Sequence, residues 1–143
     1  MTVEELRRCF LSFPEVTEET PFDESTVVYK TAGKMFALID WEQKPLSMNL
    51  KCEPSRAEEL RDAHACVVPG YHMSKKHWNT VILEGALVDD ATLREWITHS
   101  FERVVAGMPK KDQIRLLDKH KQGPADSDGP QDKELRNELK RRI

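Results

Sequence analysis

A chain of 143 residues, 38% apolar and one-third charged, supports one domain with a single modest core. A formal net charge of −3 excludes a polycation, so any role with nucleic acid needs a local basic surface. Cys9, Cys52 and Cys66 show no C-x-x-C spacing, which excludes a zinc-ligand pattern or a disulfide framework and favours small thiols in a reducing compartment. No apolar run approaches the ~20 residues of a membrane span. Glu4 and Glu5 stand where a signal peptide would be apolar. The expectation is a soluble cytoplasmic protein with no membrane contact.

Thr2-Val3-Glu4-Glu5 reads as a capping box. Val3, Leu6, Phe10 and Phe13 then recur at helical spacing until Pro14 stops the helix, with Arg7 and Arg8 solvated. Residues 15–24 carry Glu15, Glu18, Glu19, Asp23 and Glu24. They read as a solvated connection with a short strand near Thr17–Thr20. A hard cation needs converging oxygens on a defined loop, and this spacing matches none.

Three strands follow. Thr26–Thr31 leads through the turn Ala32-Gly33 to Lys34–Trp41. After Glu42-Gln43-Lys44, Pro45 opens a third strand with Leu46, Met48 and Leu50 inward and Ser47, Asn49 and Lys51 outward. Together they form an antiparallel meander with one face covered. Ser55-Arg56-Ala57-Glu58 reads as a second capping box, starting a helix that runs to His64. Cys66-Val67-Val68 is a short strand.

Pro69–Leu83 concentrates the polar chemistry of the chain. Tyr71 to Lys76 alternates and reads as extended, Lys75-Lys76-His77 as an exposed turn, and Trp78–Leu83 as a strand. Trp78, Thr80 and Ile82 are expected in the core, with Asn79 on the opposite face, free to meet a partner. Asp89 or Asp90 caps the longest helix, whose stripe Leu93, Trp96, Ile97, Phe101, Val104, Val105 and Met108 covers the sheet. Gly107 reads as the C′ residue, and Lys110 and Lys111 lie beyond the helix end, followed by a short turn containing Ile114, Leu116 and Leu117. From Asp118 the composition becomes polar and turn-rich. A polar linker and a short helix over Asp132–Ile143, striped by Leu135, Leu139 and Ile143, are expected there. The division is residues 1–118 as the domain and 119–143 as linker and tail.

The run Pro69-Gly70-Tyr71-His72-Met73-Ser74-Lys75-Lys76-His77-Trp78-Asn79-Thr80, together with Met108-Pro109-Lys110-Lys111, resembles the MmcQ/YjbR family. Tyr29-Lys30, Met35-Phe36-Ala37 and Leu46–Lys51 resemble it too, so the likeness spans about residues 2 to 117. It implies an α+β, frataxin-like fold. An antiparallel sheet of five or six strands would pack against two or three helices. It also implies DNA binding through a double-wing arrangement. In that role Lys75 and Lys76 contact phosphates, His77 and Asn79 bond phosphate or base edges, Lys34 serves a second wing, and Lys110 and Lys111 add backbone contacts.

Two alternatives stand beside this reading. Tyr71, His72, Lys76, Trp78 and Asn79 can line a concave site for a small anion or a protein partner. The frataxin likeness raises metal binding through the acidic stretch, though its residues match no defined motif. No nucleophile elbow, P-loop, dinucleotide loop, H-E-x-x-H or zinc cluster is present, so no enzyme activity, cofactor or metal is expected. A metal or catalytic pair of His72 and His77 across the hairpin would lack a local Asp, Glu or Cys.

Overall fold

The computed structural model describes residues 1–71 and 73–123. His72 and the expected tail helix Asp132–Ile143 therefore lie outside the described residues. Helix α1 (Val3–Leu11) starts at Thr2, where the capping box forms as read: Glu5 N–H donates to Thr2 Oγ1 and Thr2 N–H to Glu5 Oε1. Strand β1 is Val16–Glu19, β2 Thr26–Thr31, β3 Lys34–Asp40 and β4 Ser47–Lys51. The β2–β3 turn places both Ala32 and Gly33 at positive φ, 47° and 83°, the pattern whose twist matches paired strands.

Helix α2 (Pro54–Ala63) begins one residue before the expected box. Glu53, not Ser55, is the cap: its carboxylate accepts from Arg56 N–H, and Pro54 takes the first helical position, where no N–H is needed. Strands β5 (Val67–Pro69) and β6 (Trp78–Ile82) form the second hairpin. Helix α3 (Asp90–Ala106) is capped by Asp89 and ends at Gly107, whose φ of −88° is not the left-handed value expected of a C′ glycine. Helix α4 (Lys110–Lys121) replaces the expected short turn and crosses the boundary drawn at 118. Leu116, fully buried on its inner side, explains the difference: one anchoring leucine docks the segment, and tertiary burial sustains a helix whose local pattern is weak.

The six strands form one antiparallel sheet in the order β1-β2-β3-β4-β6-β5, with four helices among the described residues, an α+β fold. The core lies on one side of the sheet. Register aligns Val27 and Tyr29 of β2 with Ile39 and Ala37 of β3, these with Met48 and Leu50 of β4, and Met48 with Val81 of β6 and on to Val67 of β5. All pack under Leu93, Trp96, Ile97, Phe101 and Val104 of α3. A bulge between Tyr29 and Lys30 lets Phe36 join Ala37 on the core side, where its ring meets Phe13 and Phe101 edge-on. Ser100 ties α3 to the sheet by donating to Phe36 C=O at 2.5 Å and accepting from Lys51 N–H at 2.8 Å.

The period of β6 was legible, but its facing was not. Met48 and Leu50 face the helices, and their partners Val81 and Asn79 must do the same. Trp78 is therefore on the other face. It is still only 9% exposed, with Gly70 close against it: Gly70 N–H donates to Trp78 C=O at 2.9 Å, and a Cβ on Gly70 would lie 2.8 Å from Trp78 Cβ.

Candidate nucleic-acid interface

Antiparallel register brings distant cations to one end of the sheet. β2 ends at Thr31, opposite Lys34 at the start of β3. Ala37 pairs with Leu50, so β4 arrives at this same end with Lys51, which pairs with Trp78. The β5–β6 connection, residues 70–77, leaves from there as well. Two hairpin ends thus share one edge, separated by β4. Three strand spacings between hairpin centres correspond to about 14 Å.

Helix α4 bridges this edge. Its first turn follows Gly107, which together with Ser74, His77 and Trp78 lines a cleft beside the second hairpin. Its last turns reach the first hairpin: Arg115 and Lys119 both donate to the Glu15 carboxylate, while Glu15 C=O accepts from Ala32 N–H in the β2–β3 turn. These two cations, Arg115 first, hold the Glu15 carboxyl down at about 2. His120 stacks on Phe13 at 5.3 Å, and burial lowers its basicity.

The cations at this end are of two kinds. Lys34, Lys76, Lys110 and Lys111 are exposed and make no ion pair or hydrogen bond among the described residues. Elsewhere Arg7 is held by Glu18, Lys30 by Glu19 and Arg56 by Glu95. Lys75 is exposed, yet its ammonium turns back to Gly70 C=O at 3.3 Å. His77 is half-buried; its backbone C=O accepts from Cys52 N–H, and its N–H donates to Ser74 C=O. The expected extended course is instead a looped excursion over residues 73–76, closed by Ser74 C=O accepting from both His77 and Trp78.

Asn79 is not available to a partner. It is 2% exposed and accepts from Arg61 Nε at 2.7 Å. Arg61 also donates through Nη2 to Lys75 C=O and to Trp78 C=O. Asn79 and Arg61 are thus the internal strut that holds the basic loop in place. Arg61 gave no signal in the sequence, being one of several charged residues on α2.

The expected small-anion pocket is not assembled as drawn. Tyr71 is 66% exposed, with its backbone N–H donating to Thr80 Oγ1, and it does not line the cleft. Of that set only Trp78 does; Lys76 and Asn79 do not, and His72 is outside the described residues. The cleft instead uses Lys51, Ser74, His77 and Arg103, with Ala106 and Gly107, and encloses about 320 Å³. Arg103 Nε is buried with no hydrogen-bond partner among the described residues, a state that ordinarily costs about 1–3 kcal/mol.

Four of the five carboxylates in the acidic stretch are spent on internal contacts. Glu15 holds α4, Glu18 accepts from Arg7 and from the Tyr29 hydroxyl, Glu19 pairs with Lys30, and Asp23 accepts from Ser25 and Thr26. Arg7, read as solvated, is thus bidentate to Glu18 at 2.7 and 2.8 Å. Among the described residues no group of three or more His, Cys, Asp or Glu is arranged to hold a metal ion. No helix among them is long and apolar enough to cross a membrane.

The family model YjbR matches residues 11–103, which include the meander, the second hairpin and most of α3. The chain belongs to the YjbR family. Within it, YbdF of Escherichia coli O157:H7 is 35% identical over 113 residues, covering 79% of this chain and 92% of that one. YjbR of Escherichia coli strain K12 is 29% identical over 117 residues, covering 82% and 98%. The crystal structure of Deinococcus radiodurans protein DR2400, with a DUF419 domain, superposes at a TM-score of 0.74 with 40% identity over 80% of this YjbR chain and 87% of its own. A Pseudomonas syringae protein at 20% identity and a TM-score of 0.63 shares the fold.

Proposed function

We propose that this YjbR protein binds DNA through the basic end of its sheet, contacting backbone phosphates with two hairpin ends and the first turn of α4. The observation that carries this reading is the convergence of Lys34, Lys76, Lys110 and Lys111 at one edge, unpaired among the described residues, in a chain of net charge −3. An acidic protein gains nothing in folding from clustering unpaired ammonium groups, whereas a polyanion is attracted to them. The separation of about 14 Å between hairpin centres is comparable with the ~12 Å major groove, so two hairpins can straddle one groove wall. Lys110 and Lys111 also occupy the start of a helix, where the dipole disfavours cations and welcomes an anion.

Lys75 contributes charge to this end while its ammonium is tied to the loop, and His77 lies behind the tip. Neither Asn79 nor Trp78 serves as a base contact, so the reading is of phosphate recognition without direct sequence readout. The protein acts as a binding module rather than an enzyme, in a reducing compartment that suits the free thiols of Cys9, Cys52 and Cys66.

Fluorescence anisotropy with labelled duplex and single-stranded DNA, at low and physiological salt, tests the reading. Binding should weaken steeply with salt, and four phosphate contacts predict a log–log slope of about −3 to −4 on duplex. Absence of binding at low salt by a protein shown to be folded would overturn it.

A further inference from the structure

The cleft between α3 and the 70–77 loop has chemistry that the DNA reading does not use. Its walls are Lys51 from the end of β4, Ser74 and His77 from the loop, Trp78 from β6, and Arg103, Ala106 and Gly107 from the last turn of α3. Arg103 is one of the lining residues; its Nε is closed off from solvent and finds no acceptor among the described residues, and nearby Glu53 turns its carboxylate to the Arg56 N–H instead. A guanidinium, a lysine, a histidine and a hydroxyl line one cleft with no carboxylate among the lining residues, a donor set suited to an oxyanion.

The end of a helix would ordinarily oppose an anion here. That opposition is reduced locally: Gln113 Nε2 donates to Ala106 C=O at 3.3 Å and to Met108 C=O at 2.8 Å, occupying carbonyls at the end of α3. The volume of about 320 Å³ sits at the lower end of small-molecule sites, well above the space one inorganic ion needs. Ala106 and Gly107 leave that room, and Trp78, at the start of β6, also lines it.

We infer that this cleft is a binding site for a small phosphomonoester, with Arg103 and Lys51 on the phosphate and Trp78 beside the organic body. Ser74 and His77 supply further hydrogen bonds. The site is separate from the lysines assigned to DNA, since none of Lys34, Lys76, Lys110 and Lys111 lines it.

The test is isothermal titration calorimetry of the full chain with ribose 5-phosphate, with ribose and inorganic phosphate as the two halves. Ribose 5-phosphate should bind and ribose should not. Inorganic phosphate should bind more weakly than the ester. Arg103→Gln removes the charge, and Ala106→Leu fills the cleft without changing charge at an exposed helical position. Each should weaken binding about tenfold or more while retaining the fold by circular dichroism. Lys34→Ala/Lys76→Ala/Lys110→Ala/Lys111→Ala should leave it unchanged while abolishing DNA binding, so the two readings fail separately. No heat with ribose 5-phosphate at millimolar concentration, or equal binding by wild type and a folded Ala106→Leu, would overturn the inference.

Discussion

The two ends of the sheet are built from the same kind of hairpin and strand termini, yet their charges are used in opposite ways. At one end lie the β2–β3 turn, the 70–77 loop and α4, with Lys34, Lys51, Lys75, Lys76, Lys110 and Lys111. At the other, the 20–25 segment, the β3–β4 connection and the start of α3 carry Asp23, Glu24, Asp40, Glu42, Asp89 and Asp90. The acidic end spends four of these six carboxylates on structure. Asp23 closes the approach to β2, Asp40 accepts from Glu42 N–H, Asp89 caps α3, and Asp90 receives the Met1 ammonium at 3.0 Å. Of the six lysines at the basic end only Lys75 has its ammonium bonded, so five are left unspent among the described residues. A mean charge near zero therefore hides a polarised molecule, and polarity along the sheet orients it in the field of a polyanion.

The comparison breaks most visibly by exchanging charge. Lys34→Glu/Lys76→Glu/Lys110→Glu/Lys111→Glu should reduce DNA affinity at least a hundredfold at low salt, measured by anisotropy. Asp23→Asn/Glu24→Gln at the opposite end should change it by less than about threefold. Equal losses from both ends would remove the assignment of the interface.

A second way works through the support of the basic loop. Gly70→Ala drives a Cβ to within 2.9 Å of Trp78 C=O as well as onto its side chain, with backbone on one side that cannot yield cheaply. About 1–3 kcal/mol of stability should be lost, read from the denaturant midpoint, and DNA binding should weaken as the loop shifts. Arg61→Ala removes donors from Asn79, Lys75 and Trp78 and should cost about 1–2 kcal/mol. DNA binding should fall with it although Arg61 touches no phosphate; retained affinity in a destabilised variant would show that the loop needs no strut.

Acid sharpens the contrast further. His99 and His120 are both held below the ordinary 6.5 by burial, Arg56 adding to the effect on His99. His99 Nε2 also accepts from Glu53 N–H, which needs the neutral ring. Between its folded and unfolded values such a group binds more protons when unfolded, so stability is full above pH 6.5 and declines as pH falls toward and through the folded value. Thermal melts from pH 7.5 to 5 should show a falling midpoint, flattened in a folded His99→Gln/His120→Gln protein.

The smallest effect should come from Glu15→Gln. It loosens Arg115 and Lys119 from an exposed pair, so stability should drop by about 0.5–1 kcal/mol at most. The freed cations should raise DNA affinity slightly, and more so at low salt.

Most of the fold was legible because its signals are local. Thr2 and Glu5 spell a capping box, Ala32-Gly33 a tight turn, and Leu93 to Val105 one apolar helix face; each follows from short-range hydrogen bonding or from side-chain period. The facing of β6 was not legible, because Trp78 and Val81 are both apolar and either face satisfies the period. Only pairing with β4 decides between them, and that put Asn79 inside and Trp78 on the opposite face. Helix α4 escaped for a related reason: its burial rests on Leu116 meeting a core assembled from elsewhere.

By itself, then, the amino-acid order determined most of the elements, the β2–β3 turn and the presence of a Lys-rich loop, all written within a few residues of one another. The tertiary structure alone decided that Lys34 and Lys76 share an edge, that Arg61 reaches Asn79 and Lys75, and that Arg103 meets Lys51 and His77 around one cleft. These are contacts between residues far apart in the chain, and strand register, which no single segment encodes, is what brings them together.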